Sequence, residues 1–329
     1  MKNRFEIAAS AGALLALDPD TVPRYLILRD LLHRPPSDRE MQITHQNLPA
    51  CRAVAELDRE QLPDGGWGRF HTADSKTRIG TTEQAVQRAI TLGLEQKDEI
   101  VARAQAYLVA LLAKQIRFPD RPERNDRWAT GEEMFTASTL AWIDPCHPAL
   151  EPVYAKWCRI AERTFTTGDY DAGAEWRAHC QMTGATTMRG SYLVLCNRYA
   201  VYLLSRVQDR LSDRTESGLV NWLWNLPRGM GYLDVPVSLP VTKVNPRALS
   251  RWFFSHQVLA RFRSWPRKAK GIMNDLGSLR GREGLWNFGV IPGGGNLRLS
   301  DSWRKPSSRI IDHSVAVLQL AAQFEAGCG

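Results

Sequence analysis

The sequence predicts an all-α chain made of stacked helical hairpins. Apolar residues recur at helical spacing through most of its 329 residues, short glycine and proline turns separate the periodic stretches, and the alternation that marks β-strands is nearly missing. Five or six helix pairs can be counted, all read as one domain spanning 1–329 with a helical lead-in over 1–36. Hairpins repeating along a chain stack side by side, giving either an open solenoid or a closed ring.

The elements follow in order. Residues 7–17 are apolar behind Lys2 and Arg4, but Glu6 interrupts the run and no small-x-small cleavage site follows. The segment therefore reads as a structural helix and not as a signal peptide. Thr21 and Pro23 open a second helix, in which Tyr25, Leu28, Leu31 and Leu32 share a face until Pro35-Pro36 ends it. Ser37-Asp38 starts a helix running to about 62, and Asp64-Gly65-Gly66 makes a turn. Thr81-Thr82-Glu83 supplies a capping hydroxyl and an early acid to the next helix, which Gly93 ends. A partner helix covers 97–114. Residues 116–130 read as a polar loop, 132–142 as a short helix broken at Asp144-Pro-Cys-His-Pro148, 149–165 as a helix and 168–173 as a turn. Helices are expected over 191–211, 213–226, 246–262 and 309–324, with a loop at 227–246.

Composition narrows the classes. With 43% hydrophobic residues the chain can bury a substantial core. The net charge of +8 is diffuse apart from a cluster at 261–270, and no nucleic-acid-binding module accompanies it. Six cysteines without a Cys-x-x-Cys pair argue against a disulfide framework and for a reducing cytoplasm. No stretch reaches the ~18 apolar residues of a membrane span. Of eleven tryptophans, Trp67, Trp128, Trp286 and Trp303 fall in loop-like settings, where an indole buries a large surface while its N–H still needs an acceptor.

The stretch Gln61-Leu-Pro-Asp-Gly-Gly-Trp-Gly68 joins a helix end, a glycine turn and a tryptophan anchor, and Gly284-Leu-Trp-Asn-Phe-Gly289 repeats it in weaker form. These segments resemble the Gln-and-Trp repeat of squalene–hopene and oxidosqualene cyclases and the Asp-Gly-Gly-Trp-like turns of protein prenyltransferase beta subunits. The likeness is carried by 50–113 and 281–324, and helix pattern alone joins the middle to it. It implies an α/α toroid, a ring of hairpins that need not close, around a central cavity that takes an apolar, isoprenoid-like ligand.

The chemistry implied by that resemblance is only partly written in the chain. Alkene-protonating cyclases of this fold use Asp-x-Asp-Asp, with aromatic faces steadying a carbocation; the nearest segment here, Asp169-Tyr-Asp171-Ala, lacks the last acid. Asp-Asp-x-x-Asp is missing too, and Asn125-Asp126 with Glu133 is an incomplete second metal motif. Prenyltransferases hold zinc with an Asp, a Cys two residues on and a distant His. Asp144-Pro-Cys146 has that spacing and His313 opens the last helix, although a metal-free loop is the preferred reading. Inward acids are expected at Asp171 or Asp312 with His313 beside it, set against a solvated turn at Asp171 and a dipole-favoured helix start at Asp312. Trp128, Trp142, Trp176, Tyr192, Tyr199 and Trp286 are the expected ligand-binding walls. Three functions compete: a cyclase-like or prenyl-transfer enzyme, a non-catalytic scaffold for ligands or peptides, and a carbohydrate-active toroid with paired carboxylates.

Overall fold

The computed structural model describes residues 5–72, 79–186, 193–292 and 295–327. Among them it contains fourteen α-helices and no strand: α1 Ile7–Ala16, α2 Thr21–Leu26, α3 Arg39–Gln46, α4 Arg52–Glu60, α5 Thr82–Thr91, α6 Glu99–Leu112, α7 Trp128–Ile143, α8 Glu151–Thr164, α9 Ala172–Thr183, α10 Arg198–Arg206, α11 Asp213–Asn225, α12 Leu249–Leu259, α13 Trp265–Ser278 and α14 Pro306–Ala326. The protein is all-α, as its periodicity predicts.

Local chemistry sets many of the boundaries. Asp38 caps α3 by accepting from Met41 N, and Thr81 caps α5 by accepting from Gln84 N. The helix expected over 37–62 is two, because Pro49 has no N–H to continue the ladder and a short 3₁₀ turn, Leu48–Ala50, separates α3 from α4. The helix expected from 191 begins only at Arg198, where Asn197 caps it by accepting from Tyr199 N. Two helices escaped the sequence reading. α9 hides behind Asp171, taken as part of a turn but in fact its cap. α13 hides inside the basic cluster, yet Trp265, Ala269, Ile272, Met273 and Leu276 bury one face of it.

Packing follows an alternation along the chain. Contacts pass from α5 to α7, α7 to α10, α10 to α12, α12 to α14 and α14 to α2. On the other side of α2, Arg29 Nη1 donates to Gly93 O at 3.4 Å, just past the end of α5. The intervening helices pack on these six: α6 on α5 and α7, α8 on α7 and α10, α13 and α1 on α14. α2 ends in a π-helical turn, Ile27–Leu31, a geometry common at functional sites.

The two tryptophan loops have the same internal construction. Trp67 Nε1 donates to Leu57 O at 2.9 Å, and Trp286 Nε1 donates to Leu276 O at 2.7 Å, in both cases ten residues back. Trp67 N donates to Thr82 Oγ1 and Trp286 N to Ser314 Oγ, both at 2.9 Å. Gln61 Nε2 and Arg280 Nε each reach forward to the carbonyl of Gly65 or Gly284. Both glycines adopt positive φ, +95° and +77°. A third turn, unrecognised in the sequence, lies at Leu226-Pro-Arg-Gly229, where Gly229 N donates to Leu226 O as Gly65 N does to Leu62 O.

Candidate functional site

Three cavities are lined by these six helices. The largest, about 550 Å³, takes its walls from the C-terminal halves of α2 with its π turn, α5, α7, α12 and α14, together with Tyr202 of α10. Because the same ends meet there, the helices run in one sense. A second cavity of about 20 Å³ is lined by Glu83, Gln87, Arg198 and Tyr199 from the opposite ends of α5 and α10. A third of about 50 Å³ lies against Gln87, Phe253, Phe254 and Leu299. Trp142 borders all three. Its ring stacks on Tyr202, with centroids 4.5 Å apart and planes 9° apart, and on Phe254 at 5.7 Å and 22°. The aromatics largely fill the middle, and a space of about 20 Å³ holds little more than one water. The roomy end is the large cavity, the mouth.

The narrow end carries a dense polar cluster. Glu83, the second residue of α5, is 7% exposed. Its Oε1 accepts from Arg198 Nη2 at 2.9 Å, and Tyr199 OH lies 2.9 and 2.8 Å from its two carboxylate oxygens. His71 Nδ1 is 3.0 Å from Tyr199 OH and 3.3 Å from Glu83 Oε2. The ring of His71 stacks on Phe135 at 4.3 Å. Burial, with the Glu83 charge beside it, holds the Tyr199 hydroxyl well above its ordinary range, so the phenol stays protonated. Carboxylate, phenol and imidazole are in mutual hydrogen-bond contact, an arrangement within the reach that proton transfer needs.

Loops aim this cluster. Asp120 accepts from Phe70 N, His71 N and Thr72 N at 2.7, 2.9 and 2.7 Å, which fixes the segment carrying His71. Gly231 N donates to Cys196 O and Arg198 N to Gly231 O, tying the 226–232 loop to the start of α10. Tyr232 then packs edge-on against His71 and Tyr199 with a φ of +69°, a strained value for a bulky residue.

The expected site residues scatter. Trp142 and Tyr199 border these cavities. Trp286 is fully buried as a loop anchor, Trp128 begins α7 edge-on to Phe118, and Trp176 is part-buried on α9 away from the three cavities. Tyr192 lies outside the described residues. Asp171 is exposed and caps α9, accepting from Ala174 N at 2.9 Å. Asp312 is 1% exposed and holds backbone: Leu299 N, Ser300 N and Ser300 Oγ all donate to it. Burial raises its carboxyl to about 6 against those hydrogen bonds. His313 Nδ1 accepts from Phe288 N at 3.1 Å, and burial lowers its imidazole to about 4, with Arg309 adding to the effect. Asp126 caps Thr186 and Glu133 pairs with Lys156.

The zinc alternative does not assemble. Asp144 Oδ1 accepts from Cys146 N in a local turn, Cys146 is exposed, and His313 is engaged by Phe288 elsewhere. Among the described residues no three His, Cys, Asp or Glu side chains come together as a metal site. No described helix is long and apolar enough to cross a membrane.

Sequence reading missed His71, Glu83, Arg198 and Tyr232. Their signal is the loop motif itself: His71 follows Phe70 at the end of one copy, Tyr232 ends the third, and Glu83 lies next to the threonine that anchors Trp67. No protein-family model matches this chain, and neither a curated protein nor a solved structure matches it significantly.

Proposed function

We propose that the six cavity-lining helices form the inner wall of an α/α toroid, and that the mouth binds an apolar, isoprenoid-like ligand. The observation that carries this reading is the convergence of six helices on a cavity of about 550 Å³, within the usual range for small-molecule sites, with the Trp142 face in its wall. Leu26, Ile90, Val258, Ala322 and Ala326 supply the rest of an apolar surface. The placement of Asp171 on an outer cap and of Asp312 under a loop supports binding over alkene protonation. The free thiols at Cys51, Cys146, Cys158, Cys180 and Cys196 support a cytoplasmic site of action.

Titration with dodecanol, followed by intrinsic tryptophan fluorescence, tests the proposal. Saturable quenching that Trp142→Ala weakens at least about tenfold, a difference of ~1.4 kcal/mol, is the expected result. No saturable response from the folded wild type refutes it.

A further inference from the structure

The mouth holds a cation that no group among the described residues neutralises. Arg261, one residue past the C-cap of α12, lines the cavity, and its buried Nε has no hydrogen-bond partner. Its guanidinium makes no ion pair and no side-chain hydrogen bond among the described residues. Arg206, the part-buried last residue of α10, also makes no ion pair and no side-chain hydrogen bond among the described residues. It stands close enough to Arg261 to oppose its charge, and both act electrostatically on the buried Tyr202 hydroxyl. Other arginines of this region are matched: Arg210 with Glu151 at 2.7 Å and Arg263 with Asp213 at 3.0 Å.

Other charged groups facing the mouth leave this imbalance in place. Asp30 is occupied by Arg29, which approaches it at 2.6 and 3.1 Å, and by Gln319 Nε2 at 2.7 Å. His33, Thr91 and the uncharged Gln257 and Gln323 complete the polar lining, and the buried Gln323 Oε1, a neutral acceptor, is itself without a partner. Helix C-termini favour cations through their dipoles, which accounts for part of the tolerance of Arg206 and Arg261. A capping role would nevertheless show as hydrogen bonds from the guanidinium to the last carbonyls, and Arg261 makes none. An unpaired guanidinium in the wall of a cavity, with a second cation close behind it, leaves charge-assisted donors for a ligand to satisfy.

Building on the binding reading above, we propose that Arg261, backed by Arg206, holds the oxyanion head group of an amphiphile whose apolar tail lies on Trp142. The shared chemistry is a carboxylate or a phosphate monoester on an alkyl or isoprenoid chain. The head group lies beside Arg261 and Gln257, and the tail runs inward over Trp142 and Val258.

The test is isothermal titration of the full-length protein with three probes of equal chain length: dodecanol, dodecanoate and dodecyl phosphate. Wild type should bind at least one anionic probe about tenfold or more tightly than dodecanol, and the anion that gains more identifies the head group. Arg261→Gln should remove that preference, with an unchanged thermal melt by circular dichroism showing that the variant is folded; Arg206→Gln should reduce it by less. Salt should weaken the anion preference and not alcohol binding. Equal affinity for all three probes in the wild type overturns the head-group inference while the binding reading stands. Persistence of the preference in both arginine variants overturns the assignment to these residues. Failure of all three probes to bind refutes the underlying binding reading as well.

Discussion

The two ends of the space between the six helices solve opposite problems. At the narrow end Glu83 is matched by Arg198, Tyr199 and His71, and the loops around it are pinned by Asp120 and by the bridge between Asn197 and Gly231. At the mouth Arg261 has a cavity in front of it and no partner. The Glu83 carboxylate, matched on both oxygens, makes one end rigid and specific, although the buried Nε of Arg198 has no partner of its own. The other end instead keeps an unmatched cation beside open space. The chain thus separates a carboxylate matched within the fold from a guanidinium that the fold leaves unmatched.

The largest effect that would break this contrast is at Glu83. Glu83→Ala leaves Arg198 and Tyr199 facing each other without their shared acceptor. It should cost about 3–5 kcal/mol in urea denaturation, as breaking a buried pair from one side does; a loss under about 1 kcal/mol would show that the cluster holds nothing together.

Next comes the wall between the ends. His313, lowered to about 4, removes stability as pH falls from its unfolded value of 6.5 through 4, because only the unfolded chain takes up the proton readily. Asp312, raised to about 6, acts oppositely: its contribution is full below its unfolded value of 3.8 and is lost as pH rises through 6. Over pH 4–6.5 the neighbours therefore oppose each other. Asp312→Asn should expose the histidine effect as an extra acid-side loss on the order of 2–3 kcal/mol, read from unfolding midpoints at pH 6.5 and 4. An unchanged pH profile would contradict this balance.

The rim loops give a smaller and graded test. A Cβ at Gly65 would lie 2.4 Å from Arg103 O, whereas at Gly284 its nearest contact is the movable Arg280 side chain at 3.1 Å. Both positions have positive φ, so each alanine should lose roughly 1 kcal/mol. Gly65→Ala should lose clearly more, and equal melting temperatures for the two variants would contradict the shared but unequally packed construction. Tyr199→Phe should cost about 1–1.5 kcal/mol, the value of its hydrogen bonds to Glu83, seen as a shifted midpoint at constant denaturant slope. Smallest of all, Arg261→Gln should change stability by no more than about 0.5 kcal/mol, since no partner is lost. A large destabilisation on chemical unfolding would make that arginine structural.

Much of the scaffold was legible in the residues. The period of Ala85, Val86 and Ala89 gave α5, and the threonine and aspartate caps marked its start and that of α3. The Asp64-Gly-Gly-Trp turn and its echo at Gly284 proved to share the same hydrogen bonds. The site was much less legible. Glu83 and Arg198 are 115 residues apart, and no local pattern announces a pair made by packing. Asp171 and Asp312 stand out as inward acids in the sequence, but their carboxylates serve nearby backbone N–H groups. Trp142 and Tyr199 reached the cavity walls because aromatic residues on inward helix faces follow the periodicity. Trp286 satisfied the same hydrophobic logic in a loop, where its indole N–H is spent on Leu276 O.

A crystal structure of the protein grown with dodecyl phosphate tests the central claim most directly. The account places the alkyl chain against the Trp142 ring inside the mouth and the phosphate within hydrogen-bond distance of Arg261. An alkyl chain bound on an outer groove, or a mouth filled only by ordered water at saturating probe, would contradict it.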